Sequence, residues 1–312
     1  MKQCASTILM IRPVAFRMNE QTAVNNYYQQ VLDGVTSEEV QSRALEEFDD
    51  FVAKLRDHGV EVVDVNDTEN PDTPDSIFPN NWISFHEDGR VGLFPMFAPN
   101  RRLERREEII SLLQSEYNFN VEEIVDFTEF EEHDKFLEGT GSIVLDRVNK
   151  IAYAALSPRT DELAFGHFCD ELGYEPVVFN SFQNVNGSRE LIYHTNVMMC
   201  VADGFAVICL DTIDDAEERE YVKNKLESTG HEIIEISEDQ KHRFAGNMLY
   251  VCNNEGQAHL VMSGSAYSSL TDDQKAQIEK HCPIIHSSLD TIEACGGGSA
   301  RCMMAEVFLP KA

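Results

Sequence analysis

The chain has 312 residues, of which 25 are basic and 55 acidic, so its formal net charge is −30. A field of this sign repels phosphate backbones and anionic lipids, which argues against nucleic acid or a membrane surface as a partner. Apolar residues make up 42% of the chain, as in globular proteins, and no uninterrupted apolar run is long enough to span a bilayer.

The N-terminal region begins with a predicted strand, Thr7–Ile11, whose apolar run is stopped by an Arg-Pro pair. The run is too short for the core of a signal peptide, so we expect a cytoplasmic protein. In that compartment the eight cysteines should be reduced. We interpret Cys200, Cys209 and Cys252, which lie in apolar stretches, as small core residues.

A first helix is predicted over Ser37–His58, where apolar residues recur with a period of about 3.6, and it leads to a strand at Val60–Val65. Further along, two apolar runs joined by a short polar turn occur four times. Turns that contain Asp-Gly or several Asn residues between such runs predict β-hairpins. The four predicted hairpins are Asn81–Phe97, Ser142–Leu156, Val197–Leu210 and Met248–Met262.

The hairpin turns recur about every 50 to 60 residues, which predicts a repeat architecture. Helices predicted over Asp214–Ser228 and Thr271–His281 follow the third and fourth hairpins, and each leads to a short strand, Glu232–Ile236 or Pro283–His286. The predicted unit is therefore strand, strand, helix, strand. A fifth unit would join the N-terminal strand to a strand at Met303–Leu309. No linker rich in Pro, Gly or Ser divides the chain, so we expect one domain over residues 1–312.

Five short motifs carry residues suited to chemistry. In a circular repeat their positions converge near the axis, which would bring Cys302, His194 and Glu138 together. A cysteine nucleophile reacts as the thiolate, a histidine can move protons and activate water, and a carboxylate can orient that histidine. Taken singly, the three could instead be a buried structural thiol, a core histidine and a turn residue. The motifs are Pro74–Trp82, Glu138–Ser142, His194–Asn196, Ala245–Asn247 and Gly296–Cys302.

In this order, and with the repeat, the motifs resemble those of the pentein superfamily of guanidine-modifying enzymes. Met10–Pro13, Phe78–Trp82, Phe244–Met248 and the glycines before Cys302 look like the arginine deiminase-related branch called citrulline-utilisation hydrolases. That branch is similar to amidinotransferases and dimethylarginine dimethylaminohydrolases. The resemblance implies an α/β fold, a five-bladed propeller of ββαβ repeats with pseudo-fivefold symmetry, that forms a single catalytic domain. It also implies a small amino-acid substrate and no metal or organic cofactor.

The resemblance assigns roles to individual residues. It makes Cys302 the nucleophile, His194 the catalytic histidine and Glu138 the carboxylate beside it. Arg159, together with Arg101 or Arg102, is expected to hold the substrate carboxylate, because a planar guanidinium can grip a carboxylate through two hydrogen bonds. The other expected substrate-binding residues are Asp75, Phe78, Asn80, Asn81, Asn196 and Asn247.

Two neutral amides guide the substrate prediction. Many relatives have an acid where Asn81 stands, and arginine deiminases have one at the position of Asn196. A buried guanidinium without its carboxylate costs on the order of 3–5 kcal/mol, whereas Asn can both donate to and accept from a ureido group. We therefore expect citrulline, hydrolysed to ornithine, ammonia and carbon dioxide through a covalent adduct on Cys302.

Other functions stay open from the sequence. Succinylarginine dihydrolases look to have Asn near the same position and yet act on a guanidinium, so arginine or a methylarginine is an alternative substrate. Amidino transfer to an amine is a second alternative, and a non-catalytic binding protein of the same superfamily is a third. A homodimer is compatible with the sequence.

Overall fold

Five three-stranded sheets with the same topology dominate this computed structural model, which describes residues 2–312. In each sheet the middle strand pairs antiparallel with one neighbour and parallel with the other. The strands are β1 (Thr7–Arg12), β2 (Glu61–Asn66), β3 (Ile83–Phe85), β4 (Arg90–Leu93), β5 (Glu123–Asp126), β6 (Val144–Asp146), β7 (Ile151–Ala155), β8 (Glu175–Phe179), β9 (Phe182–Val185), β10 (Ser188–Leu191), β11 (Met199–Val201), β12 (Phe205–Ile208), β13 (Glu232–Glu235), β14 (Leu249–Cys252), β15 (Ala258–Ser263), β16 (Ile284–Ser287) and β17 (Ala305–Glu306). The sheets have the strand orders β17-β1-β2, β3-β4-β5, β6-β7-β8, β11-β12-β13 and β14-β15-β16, while β9 and β10 form a separate hairpin.

The helices connect the strands within and between these sheets. The longest begins after Thr36, whose side chain accepts from the backbone of Glu39 while the Glu39 side chain accepts in return, a capping box. Among residues 2–312, no helix combines the length and apolarity needed to cross a bilayer. The α-helices are α1 (Ser37–Asp57), α2 (Glu107–Ser115), α3 (Gly139–Ser142), α4 (Glu162–Leu172), α5 (Ala216–Ser228), α6 (Glu238–His242), α7 (Gly264–Ser269), α8 (Asp272–Glu279) and α9 (Asp290–Gly296). Short 3-10 helices cover Pro79–Asn81, Pro99–Glu104, Thr128–His133, Thr195–Val197 and Leu210–Thr212.

The predicted repeat is confirmed at the level of strand pairing. All four predicted hairpins are present as β3-β4, β6-β7, β11-β12 and β14-β15, and the three predicted helices lie within two residues of their observed ends. The chain ends are joined as expected, because β1 pairs antiparallel with β17 through Ile8 and Glu306 and through Leu9 and Ala305. The paired part of the C-terminal strand is shorter than predicted. The sequence analysis did not assign strands β5 and β8, which complete the second and third sheets, nor the helices α2 and α4 that precede them. It also missed the β9–β10 hairpin.

The cysteine prediction is wrong for one pair. Cys4 and Cys252 are joined by a disulfide across 248 residues of sequence. They meet because Ala5 forms a parallel bridge with Val251, and because the backbone N–H of Cys252 donates to the Ala5 carbonyl at 2.9 Å. Such a distant pairing leaves no local signal in the sequence. Free buried thiols, as expected for Cys200 and Cys209, are found at both of those positions.

Candidate active site

A small cavity lies where the glycine loop after α9 meets the segment before β3 and the residues that precede β11. It has a free volume of about 10 Å³, which is room for about one water molecule. The structure brings seven of the predicted site residues to its wall, and Tyr193 lies among them. Those seven are Asp75, Phe78, Asn81, Arg101, Arg159, His194 and Cys302.

The loop that presents Cys302 depends on glycine. Helix α9 ends at Gly297, whose φ of +63° is in the left-handed region that glycine adopts without a Cβ clash. A Cβ added at Gly296 or Gly298 would lie 2.7 or 2.9 Å from the Phe78 ring. These glycines therefore let the loop pack against Phe78 and place the Cys302 thiol, which is 3% exposed, at the cavity wall.

Two side-chain amides hold the sulfur. The Nδ2 group of Asn247 donates to Cys302 Sγ at 3.2 Å, and that of Asn196 donates at 3.5 Å. The orientation of Asn247 is fixed because its Oδ1 accepts from the backbone N–H of Arg301 at 3.0 Å. Donors directed at sulfur stabilise negative charge on it, so this arrangement suits a thiolate nucleophile.

His194, at the wall of the same cavity as Cys302, forms a buried pair with Glu138. His194 Nε2 lies 2.8 Å from Glu138 Oε2, and the other carboxylate oxygen accepts from the backbone N–H of Phe97 at 3.0 Å. Gly141 allows this packing, since a Cβ there would lie 2.8 Å from Nδ1 of the imidazole. Glu138 thereby fixes the ring so that Nδ1 is the nitrogen left free to take or give a proton.

The two groups titrate far from their ordinary values. Burial alone would raise the pKa of Glu138, but the Arg159 guanidinium and the His194 hydrogen bond outweigh it and hold that pKa well below its usual range. Burial lowers the pKa of His194 to about 4, although the bond to Glu138 opposes this shift. At neutral pH the site therefore holds a carboxylate and a neutral imidazole, whose Nε2–H donates to Glu138 and whose Nδ1 can act as a base.

Of the two candidate arginines in the Pro99–Glu104 segment, only Arg101 reaches the cavity. Its Nε and one terminal nitrogen each donate to Glu104 at 2.9 Å, and its Nη1 donates to Asn81 Oδ1 at 2.6 Å. Backbone carbonyls of Asp75 and Phe78 accept from it as well, at 3.3 and 3.2 Å. Most of its donors are thus used by the protein, so Arg101 holds the segment Asp75–Asn81 in shape.

Five predicted site residues do not line the cavity. Glu138, Asn196 and Asn247 still bond His194 or Cys302, whereas Arg102 and Asn80 do not. The Arg102 side chain donates to the Met96 carbonyl at 3.0 Å and lies over the Phe136 ring, away from Cys302. Asn80 is fully buried and donates to the Thr140 hydroxyl at 3.3 Å, which ties its segment to α3. The sequence indicated the right segment in both cases, but it could not show which way each side chain turns.

Asp75 places an unsatisfied acceptor at the cavity wall. Its Oδ2 accepts from Asn19 Nδ2 at 2.8 Å and from the Thr22 hydroxyl at 3.0 Å. Its Oδ1 is buried and has no hydrogen-bond partner within residues 2–312. A buried acceptor without a donor costs about 1–3 kcal/mol, so this oxygen is suited to an N–H group of a ligand.

Residues 17–30, here called the cover segment, close the cavity, and the sequence analysis gave them no role. Asn25 Oδ1 accepts from Arg159 Nε at 2.8 Å, and Asn26 Nδ2 donates to the Gly297 carbonyl at 3.2 Å. Gln29 Nε2 donates to the Gly296 carbonyl at 3.0 Å. The signal that could have found this segment is its density of Asn and Gln side chains ahead of α1. Because the free volume is only about 10 Å³, the cavity as it stands is too small for an amino acid.

Comparison with known proteins identifies the family of this chain. The model of the family described as N,N dimethylarginine dimethylhydrolase, eukaryotic, matches residues 12–309. The chain belongs to this family. It is a family of hydrolases that act on guanidino carbon–nitrogen bonds, within the pentein superfamily of arginine-modifying enzymes, as the sequence motifs indicated. No curated protein matches the sequence.

Solved structures agree on a mixed α/β fold. Apo ArgZ, an arginine dihydrolase from the ornithine-ammonia cycle in Cyanobacteria, matches with a TM-score of 0.73 and 18% identity, over 98% of this chain and 41% of its own. The N-terminal domain of ArgZ bound to product matches with a TM-score of 0.69 and 20% identity, over 97% and 99% of the two chains. DDAH from Pseudomonas aeruginosa, complexed with citrulline, matches with a TM-score of 0.62 and 16% identity, over 97% and 99%. The chain thus spans about 41% of full-length ArgZ.

Proposed function

We propose that this chain is a cysteine-dependent hydrolase of the guanidino or ureido group of an arginine-related amino acid. The observation that carries the proposal is one closed cavity with Cys302 Sγ between two amide donors, the His194–Glu138 pair, and a free carboxylate oxygen on Asp75. The matched family supports the reaction class. The proposal includes three catalytic roles: Cys302 is the nucleophile, His194 is the acid and base, and Glu138 is the orienting carboxylate.

Our proposal for the fold goes beyond the pairing of the strands. We propose that the five sheets are the five blades of an α/β propeller and that residues 1–312 form one catalytic domain. Contacts of β17 with β3, of β6 with β11 and of β11 with β14 support this ring, because they join successive sheets. The bridge between Ala5 and Val251 supports its closure. In such a ring the segments that carry Cys302, His194 and Glu138 meet at the axis.

In the proposed reaction the Cys302 sulfur attacks the central carbon of the ureido or guanidino group. His194 Nδ1 takes the thiol proton and passes it to the departing nitrogen, so that ammonia leaves and a covalent thiol adduct forms. Water then attacks the adduct, with His194 again acting as the base, and the Cys302 thiol is regenerated. Glu138 stays ionised throughout, stabilising the imidazolium that forms transiently.

Citrulline is our first candidate substrate. Asn81 and Asn196 are neutral amides, and a ureido oxygen would find donors near the sulfur in Asn196 and Asn247. Expulsion of ammonia would leave an S-carbamoyl adduct on Cys302, and its hydrolysis gives a carbamic acid that loses carbon dioxide to form ornithine. Arg159 is the proposed holder of the substrate carboxylate, because apart from Glu138 its hydrogen-bond partners are neutral acceptors of the cover segment, Asn25 and the Thr22 carbonyl.

Arginine is the second candidate, and Asp75 is the observation that favours it. The free Oδ1 of this buried carboxylate would pair better with a cationic guanidinium than with a neutral ureido group. Hydrolysis of arginine by the same chemistry releases ammonia and citrulline. If the citrulline is retained and hydrolysed in turn, the final products are ornithine, carbon dioxide and two molecules of ammonia.

Product analysis distinguishes these functions. Purified wild type and Cys302→Ala are each incubated with citrulline, arginine or a methylated arginine, and ammonia and amino-acid products are measured by chromatography. Ornithine from citrulline, absent with the variant, supports the first candidate, and citrulline or ornithine from arginine supports the second. Turnover that survives in Cys302→Ala, with its circular dichroism unchanged, contradicts the proposed nucleophile. Two statements remain predictions from the sequence: that the protein is cytoplasmic and that it forms a homodimer.

A further inference from the structure

Tyr193, to which the sequence analysis gave no role, lies at the wall of the cavity that holds Cys302. It follows β10, directly precedes His194 and is 2% exposed. Its backbone carbonyl accepts from the Ser157 hydroxyl at 2.8 Å, and the oxygen of that hydroxyl accepts from the backbone N–H of Arg159 at 3.1 Å. The backbone of Tyr193 is thus fixed beside two residues of the proposed machinery, His194 and Arg159.

The hydroxyl of Tyr193 reaches the glycine loop that presents Cys302, where it donates to the Gly297 carbonyl. Burial raises the pKa of Tyr193 well above its ordinary value, so the hydroxyl keeps the proton that it donates. A second donor to this carbonyl, Asn26 at 3.2 Å, belongs to the cover segment. The hydroxyl of Tyr193 therefore ties the loop of Cys302 to the segment that carries His194.

The ring of Tyr193 contacts a different group, the Arg159 guanidinium, whose Cζ lies 5.1 Å from the ring centroid. The Phe97 ring centroid lies 5.9 Å from the same atom. A guanidinium over an aromatic face within about 6 Å is attracted by the ring quadrupole, and more strongly where water is excluded. Such contacts use none of the N–H groups of Arg159, so they fix its position and leave its donors for an acceptor such as a carboxylate.

We propose that Tyr193 is a positioning residue that sets the two ends of the substrate site relative to each other. Its hydroxyl places the loop of Cys302, the proposed nucleophile, and its ring places Arg159, the proposed holder of the substrate carboxylate. This role rests on the proposed function. It predicts that the hydroxyl and the ring affect different kinetic constants, kcat through Cys302 and KM through Arg159.

Tyr193→Phe tests the hydroxyl, because it removes the hydrogen bond to Gly297 and keeps the ring over Arg159. Steady-state kinetics are measured with whichever of citrulline, arginine or a methylated arginine wild type hydrolyses fastest. We expect kcat to fall about fivefold, which is what one hydrogen bond of average net strength is worth, and KM to stay within about twofold. An unchanged kcat overturns the role of the hydroxyl.

Tyr193→Leu removes the ring as well, so comparing it with Tyr193→Phe isolates the contact with Arg159. Relative to Tyr193→Phe, KM should rise at least about fivefold while kcat stays within about twofold. Urea unfolding shows whether each variant is folded, and Tyr193→Met, which fills more of the volume, replaces a Leu variant that is not. Equal KM values for the aromatic and the aliphatic variant overturn the role of the ring.

Tyr174→Phe is the matched control. Tyr174 is 5% exposed, lies between α4 and β8 and does not line the cavity, so kcat and KM should both stay within about twofold of wild type. A fall in kcat equal to that of Tyr193→Phe would show that any buried tyrosine hydroxyl has this effect, which contradicts the positioning role.

Failure of the proposed function gives a different result. Wild type that hydrolyses none of the three substrates, or turnover that survives in Cys302→Ala, overturns both proposals. Turnover that depends on Cys302 but is unchanged in Tyr193→Phe and Tyr193→Leu overturns the role of Tyr193 alone.

Discussion

Replacing Glu293 by Gln tests how the loop that carries Cys302 is held. Glu293 is 7% exposed and lies in α9, where its carboxylate accepts from the hydroxyls of Ser299 at 2.5 Å and Ser265 at 2.7 Å. The Ser299 carbonyl in turn accepts from the backbone N–H of Cys302 at 3.0 Å. One carboxylate thus connects α9, the start of α7 and the glycine loop, and it has no cationic partner in the described chain.

The magnitude follows from the titration of this carboxyl. Burial raises the pKa of Glu293 from 4.5 to about 7, while the serine hydrogen bonds oppose the shift. The folded state therefore binds the proton more tightly than the unfolded state, and the associated stability is present at low pH and lost as the pH rises from 4.5 through 7. At about 1.4 kcal/mol per pKa unit, ionisation of Glu293 costs the fold about 3 kcal/mol at alkaline pH.

The glutamine that replaces Glu293 would stay neutral at every pH, and its amide can still bond both serines. The free energy of unfolding of Glu293→Gln minus that of wild type should therefore grow by about 2 kcal/mol between about pH 5.5 and pH 8.5. Urea unfolding at the two pH values measures it, and taking the difference cancels the other titrating groups. Glu279→Gln, at the exposed end of α8, is the control and should differ from wild type by less than about 0.5 kcal/mol at both. A Glu293→Gln difference that does not change with pH refutes the reasoning.

Three further substitutions test the site. Glu138→Gln leaves the Arg159 charge uncompensated and removes the anion beside His194. In steady-state kinetics kcat should fall by at least about 100-fold, and in urea unfolding the free energy of unfolding should fall by about 3 kcal/mol. A near-normal kcat contradicts the role of the His194–Glu138 pair. Asn25→Ala removes the side-chain acceptor that links the cover segment to Arg159 and leaves only the Thr22 carbonyl, so proteolysis of residues 17–30 should quicken several-fold. Val24→Ala, a 64% exposed neighbour, should not change the rate. Arg102→Ala should leave KM within about twofold, because its side chain points away from the cavity, and a large rise in KM would show that it contacts the substrate.

The fold was largely accessible from the sequence because its repeat leaves regular local signals. Polar turns between apolar runs predicted every hairpin of the repeat, and the spacing of those turns predicted the pairing of β1 with β17. Strand β5 was not predicted because it carries no apolar run. Three of its four residues, Glu123, Ile124 and Asp126, are exposed. The disulfide between Cys4 and Cys252 was not predicted because only the tertiary fold brings these two distant cysteines together.

At the site, residue type was predictable and side-chain direction was not. Glycine and histidine motifs singled out Cys302 and His194, and the fold places both at the wall of one cavity. The cover segment was not identified, because amide side chains such as Asn25 have no function until the fold brings Arg159 within reach. Likewise, nothing in the sequence distinguishes Arg101, which lines the cavity, from Arg102, whose side chain donates to the Met96 carbonyl.

The most direct test of the central claim is to trap the covalent adduct. Wild type is mixed with citrulline or arginine and quenched in acid within the first turnovers. Trypsin then releases the peptide Cys302–Lys311, which has a single cysteine, and its mass is measured. The account predicts a substrate-derived mass increase on Cys302 that appears and decays with turnover and is absent from the Cys302→Ser variant. Substrate turnover with an unmodified Cys302 peptide at every quench time, or turnover by Cys302→Ser, contradicts the account.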